Sequence, residues 1–221
     1  MKVIITGTTG MIGEGIMLEC LRHPEISEVL SLSRRPVGHQ HPRLKEYVVN
    51  DFLNIADGDP RLQGYDAVFF CAGVSAVGMS EEAYTKITYD TTLRVARAVL
   101  PGPRISFIYV SGGGTDSSEK GRMMWARVKG KTENDLFRLP FKQAFGFRIG
   151  FVKPARGQKY VLRYYKYLSW LLPVVKWCFA NAYSTMQEVA HAMIFLSKNG
   201  YDRPVIRVKD IRQINHHISQ A

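Results

Sequence analysis

The chain has 221 residues, 46% hydrophobic and 22% charged, which suits one sizeable α/β domain and excludes a disordered or low-complexity protein. Its formal charge of +11 implies an anionic ligand or surface, and without a nucleic-acid motif in the sequence nucleic acid is the least favoured partner. Three cysteines far apart with no Cys-x-x-Cys, and no charged leader ahead of the first strand, suggest unpaired thiols in a reducing, cytoplasmic setting.

The β-branched run Val3-Ile4-Ile5 predicts a first strand that stops at Thr6-Gly7. A glycine-spaced loop follows, Gly7-x-x-Gly10-x-x-Gly13, and Ile12, Ile16, Met17, Cys20 and Leu21 continue it as a helix. Further strands are expected at Val29–Ser33, Tyr47–Val49, Asp66–Cys71, Ile105–Val110, Ala144–Ile149 and Val205–Val208. Helices are expected over Glu81–Leu100, stopped by Pro101-Gly102-Pro103, over Arg122–Leu139, stopped at Pro140, and over Met186–Leu196. Strands alternating with helices imply a Rossmann-type, doubly wound parallel sheet, with the domain over residues 1–155 and a small helical C-terminal cap over residues 156–221.

From Gln158 to Ala180 the character changes: aromatic residues crowd among lysines and arginines. Between Asp135 and Glu188 there is no acidic residue, while Arg156, Lys159, Arg163, Lys166 and Lys176 fall there. Two readings stand side by side. The stretch is a helical cap closing a hydrophobic substrate pocket, or Tyr160–Phe179 is an interfacial helix for an anionic membrane surface. Its apolar runs are too short to span a bilayer.

Strand, glycine loop and helix in that order predict a dinucleotide site. Gly7 permits a tight turn, Gly10 lets the backbone approach a pyrophosphate, and Gly13 lets helix and strand pack closely. The helix N-terminus presents free N–H groups to the phosphates. After the second strand, where an acid would hold a ribose 2′-hydroxyl, the sequence has Ser33-Arg34-Arg35. Paired arginines match phosphate geometry, so NADP is expected in preference to NAD. Asp51-Phe52 is placed to cover the adenine edge. The six histidines show no ligand spacing, and no metal is expected.

Together these residues resemble the short-chain dehydrogenase/reductase superfamily, in its extended and atypical, epimerase-like branch. The resemblance covers residues 1–155 and, more loosely, Ser184–Leu196. It rests on Thr6-Gly-Thr-Thr-Gly-Met-Ile-Gly13, Asp51-Phe52, Cys71-Ala72-Gly73 and Tyr109-Val-Ser111. It implies cofactor contacts from Gly7, Thr8, Thr9, Gly10, Met11, Ile12 and Gly13, from Cys71, Ala72 and Gly73, and from Thr88 at the family's helix-four asparagine position. The family's catalytic pair is a tyrosine with a lysine four residues on, assisted by a serine. Lys129 stands where that lysine belongs and would also hold the nicotinamide ribose. Trp125 stands where the tyrosine belongs, one turn earlier on the same face. Ser111 is near the serine position, although Gly112 aligns with it. Indole N–H only donates, so Trp125 cannot shuttle a proton. Two functions follow: an NADP(H)-dependent oxidoreductase transferring hydride to a small or lipophilic carbonyl, or a non-catalytic NADP(H)-binding sensor or scaffold. The resemblance also implies a homodimer through the helices Glu81–Leu100 and Arg122–Leu139.

Overall fold

A computed structural model describes residues 1–161 and 182–220. Seven strands form one parallel sheet: β1 (Lys2–Thr6), β2 (Glu28–Ser33), β3 (Leu44–Val48), β4 (Ala67–Phe70), β5 (Ser106–Val110), β6 (Gln143–Arg148) and β9 (Val205–Arg207). Their order is β3-β2-β1-β4-β5-β6-β9. The sheet therefore runs outward in both directions from β1 and β4, and that reversal leaves a crevice beyond the carboxyl ends of these two strands. Register places Ile4 opposite Leu30 on one side and Val68 on the other.

Helices cover both faces: α1 (Met11–Arg22), α2 (Glu81–Thr85), α3 (Thr91–Ala98), α4 (Met124–Phe137), α5 (Met186–Asn199) and α6 (Val208–Ile218). Strands buried on both faces explain why the sequence runs are apolar throughout rather than alternating. Val3 and Ile5 pack with Ile16, Met17 and Met193 on the face of α1 and α5. Ile4, Val68 and Phe70 pack with Leu93, Phe107 and Leu136 on the face of α3 and α4. Val3, Ile4 and Ile5 are fully buried, each contributing roughly 1.5–3 kcal/mol.

The fold matches the predicted parallel, doubly wound architecture, with differences of detail. The helix expected over Glu81–Leu100 is two helices joined by a π-helical turn at Lys86–Asp90. The third strand begins earlier, at Leu44, because it is a half-exposed edge strand whose apolar pattern is weak. Residues 151–153 (β7) and 183–185 (β8) pair as a separate parallel ribbon that the sequence pattern did not announce. Helix α6 starts at Val208, the last residue expected in the strand, and runs through a stretch expected only in outline as part of the helical cap; Val208, Ile211 and Ile214 are on its buried face. Residues 182–220 supply an edge strand to the main sheet and two helices to its faces. The aromatic, basic stretch predicted as a cap or membrane helix lies outside the described residues, apart from Gln158–Val161. No helix among the described residues is long and apolar enough to cross a membrane.

Candidate dinucleotide site

The loop after β1 is built around contacts that exclude side chains. Thr6, fully buried, accepts the backbone N–H groups of Cys71 and Ala72 at 3.0 and 3.1 Å through Oγ1, tying the ends of β1 and β4 together. Gly7 sits against that junction at φ +70°, and a Cβ there would lie 2.6 Å from the Cys71 carbonyl carbon. Gly13, in the first turn of α1, is closer still: its Cβ would meet the Gly7 carbonyl oxygen at 2.3 Å. The helix start is thereby pressed onto the turn, with Gly10 N–H donating to the Gly7 carbonyl at 2.9 Å. Gly10 differs from the other two. A Cβ on it would lie 3.4 Å from the Gly7 carbonyl oxygen, an ordinary van der Waals contact, and Gly10 borders a groove.

That groove has a volume of about 470 Å³, lined by Gly7, Thr9, Gly10, Ser33, Arg35 and Gly73 among others, with no carboxylate on its wall. A second cavity of about 330 Å³ adjoins it and shares Arg34, Phe52, Ala72 and Gly73. Asp51 and Ile87 border this second one. Asp51 also caps the short turn that follows, accepting from Leu53 N–H at 3.0 Å. The first turn of α1 has N–H groups with no intrahelical acceptor, beside Met11 and Ile12 on the groove wall. A cradle of bare backbone, open N–H groups, two guanidiniums and no carboxylate fits a dinucleotide phosphate chain.

The predicted residues divide into those that face this groove and those that build it. Thr8 is buried and its hydroxyl bonds the Ser31 hydroxyl at 2.6 Å, so it braces the loop from behind. Ser33 is buried and donates to the Arg35 carbonyl at 2.6 Å, shaping the turn that carries the arginines. Arg34 and Arg35 are exposed, and their guanidiniums make no hydrogen bond or ion pair among the described residues. Cys71 lines the groove; burial pushes its thiol well above the usual range. Thr88 is buried inside the π-helical turn and lines neither cavity.

Lys129, Trp125 and Ser111 gather at the end of β5 and do not line either cavity. Lys129 Nζ donates to the Ser111 carbonyl at 2.6 Å. Burial lowers its ammonium pKa to about 8, and the Glu133 carboxylate partly opposes the shift. Trp125, one turn back on α4, covers Gly114: a Cβ there would lie 2.6 Å from the indole ring. The Ser111 hydroxyl is buried and turned to Glu133, bonded to its carboxylate at 2.5 Å. Gly112 has φ +104°, a backbone conformation that would strain a serine at the aligned position.

Beneath them lies a pair that sequence reading did not single out. Glu133 and Arg148 form a buried ion pair at 2.5 Å, and Arg148 reaches on to the Ser117 hydroxyl. Gly146 on β6 leaves the room for it, since a Cβ there would sit 2.4 Å from Glu133 Oε1. Glu133 lies four residues after Lys129, and that i, i+4 spacing was the available signal.

Comparison with known proteins agrees with this geometry. The profile of the NAD dependent epimerase/dehydratase family matches residues 3–117, just over half the chain. Protein fmp52-1, mitochondrial, of Aspergillus terreus is 27% identical over 71% of this chain and 69% of its own length. Protein HTATIP2 of Rattus norvegicus is 26% identical over 67% of this chain and 62% of its own. Protein FMP52, mitochondrial, of Debaryomyces hansenii is 23% identical over 98% of this chain and 97% of its own. Among solved structures, a short-chain dehydrogenase/reductase family oxidoreductase from Burkholderia thailandensis superposes with a TM-score of 0.64 at 16% identity, covering 100% of this chain and 97% of that one. Uronate dehydrogenase from Agrobacterium tumefaciens gives 0.66 at 14% identity over 93% and 75%. These two likenesses speak for the fold. The chain belongs to the NAD dependent epimerase/dehydratase family, as an NAD(P)-binding protein similar to the FMP52 and HTATIP2 proteins.

Proposed function

We propose that this protein binds NADP(H) in preference to NAD(H) and uses it as an oxidoreductase on a small or lipophilic carbonyl compound. The observation that carries the cofactor choice is the exposed Arg34-Arg35 at the end of β2, whose guanidiniums have no partner among the described residues, beside a groove with no carboxylate among the described residues on its wall. Two guanidiniums accept a 2′-phosphate, and an acid that would favour the bare ribose hydroxyl is missing from the groove wall. NADPH supplies hydride when bound. Gly10 and the N–H groups of Met11 and Ile12 hold the phosphates, Phe52 and Asp51 flank the adenine side, and Lys129 holds the nicotinamide ribose. Lys129, with a pKa of about 8, is also able to hold or release a proton at neutral pH, which Trp125 is not.

A second reading has its own support: with Trp125 at the tyrosine position and the Ser111 hydroxyl committed to Glu133, the chain is a cofactor-binding sensor without turnover. Trp125→Tyr separates the two, since a gain in carbonyl reduction favours the enzyme and no gain favours the sensor. Free thiols at Cys20 and Cys71 suit a reducing compartment, the cytoplasm in the first instance, and the names of the fungal relatives make the mitochondrion the other fraction to assay. Fluorescence titration tests the cofactor assignment. NADPH binding at least about 10-fold tighter than NADH supports it, a difference of about 1.4 kcal/mol. Equal affinities remove the role given to Arg34 and Arg35.

A further inference from the structure

The loop carrying Arg34 and Arg35 is held from behind by a carboxylate that lines neither cavity. Glu14 follows Gly13 in the first turn of α1 and is fully buried. A carboxylate out of water needs donors on both oxygens. Glu14 has three: the His39 ring nitrogen Nε2 at 2.7 Å and the Lys159 N–H at 2.7 Å on Oε1, and the Tyr160 N–H at 2.7 Å on Oε2. The helix that opens on the glycine loop, the loop after β2 and the chain at Lys159–Tyr160 thus meet at one side chain.

The same loop is pinned at other points along its length. Ser33 donates to the Arg35 carbonyl, Val37 is fully buried in the core, and Val37 N–H donates to Glu46 at 3.3 Å. Gly38 adopts the left-handed region at φ +71°, and its carbonyl accepts from Lys159 Nζ at 2.5 Å. Between these anchors only Arg34-Arg35-Pro36 stands out as a continuous exposed stretch. The backbone is fixed on either side of two guanidiniums that have no partner of their own among the described residues.

We infer that Glu14 and His39 are positioning residues for cofactor choice: their contact, with the Lys159 tie to Gly38, holds the Arg34-Arg35 loop in place for a 2′-phosphate. A loop already ordered binds without the entropy loss of fixing it, so the clamp acts on affinity for the phosphate rather than on the shape of the glycine groove. This inference rests on the proposed NADP(H) reading. NADH, lacking the 2′-phosphate, is the internal reference.

The test is the ratio of NADH to NADPH dissociation constants, by fluorescence titration, in the wild type and four variants. The wild type is expected to favour NADPH, and Arg34→Ala with Arg35→Ala together to abolish the preference. His39→Ala is expected to lower the ratio on the order of 10-fold, and His39→Gln, whose amide can donate to Glu14, to restore most of it. Lys159→Met, a change at an exposed side chain, is expected to lower the ratio in the same direction and serves if His39→Ala folds poorly. An unchanged ratio in His39→Ala or Lys159→Met, while the arginine variant loses its preference, overturns the clamp and leaves the NADP(H) reading standing. A wild type without preference overturns both.

Discussion

Replacing Lys129 by methionine is expected to stabilise the protein while weakening its grip on the cofactor. The ammonium is partly buried at the end of β5, and its desolvation lowers its pKa from an ordinary 10.5 to about 8, with the Glu133 carboxylate already counted on the opposing side. A shift of that size corresponds to a penalty of about 3 kcal/mol on the folded state at neutral pH. Methionine removes the penalty but leaves the Ser111 carbonyl without its 2.6 Å donor, an offset of about 1 kcal/mol. The net expectation at about pH 7 is a gain of about 2 kcal/mol. The pH dependence has a definite sign. Between about pH 8 and about pH 10.5 the unfolded chain binds more protons at this residue than the folded one, so wild-type stability rises with pH through that window. The variant lacks that rise, and its advantage should shrink to within about 0.5 kcal/mol by about pH 9.5. Urea unfolding at both pH values measures the difference, with an NADPH titration alongside. A variant less stable than wild type at neutral pH, or a difference independent of pH, would show that Lys129 is not held against its own solvation.

Two other changes bear on the groove and its foundation. Gly13→Ala places a Cβ 2.3 Å from a backbone oxygen that cannot yield, and should lower stability by about 1–3 kcal/mol or more. Gly10→Ala puts its Cβ in ordinary contact, 3.4 Å from the Gly7 carbonyl oxygen, and should change stability by less than about 1 kcal/mol, yet weaken NADPH binding because its methyl enters the space for the phosphates. Equal thermal losses in both, with binding intact in Gly10→Ala, would contradict the placement of the phosphates. Glu133→Ala strands a buried Arg148 and should lower stability by about 3–5 kcal/mol in chemical unfolding; a loss below about 1 kcal/mol would mean that Arg148 finds water instead.

Much of the architecture was legible because local sequence carried it. The run Val3-Ile4-Ile5 stopping at a glycine loop is a signal contained within a dozen residues, and the strand, turn and helix appear where it puts them. Lys129 and Trp125 were readable as neighbours because four residues on a helix return to the same face. The π-helical turn at Lys86–Asp90 escaped because it adds to the helical period without a proline or glycine to mark it. Helix α6 escaped because Val205–Val208 reads as a β-branched run, and the apolar residues that continue it at helical spacing follow directly. The polar network escaped for a different reason. Glu14 meets Tyr160 across 146 residues, and Arg148 meets Glu133 only because β6 lies beneath α4. Pairings of that kind are set by topology, and a buried carboxylate such as Glu14 looks in sequence like any surface acid of a first helical turn. The same limit applied to Ser111, whose position was legible but whose hydroxyl direction was decided by Glu133.

A crystal structure with NADPH tests the central claim most directly. The account predicts pyrophosphate oxygens against the N–H groups that open α1 beside Gly10, the 2′-phosphate between Arg34 and Arg35, and the nicotinamide ribose within hydrogen-bond reach of Lys129 Nζ. A cofactor bound elsewhere, or a 2′-phosphate in solvent with both guanidiniums turned away, would contradict it.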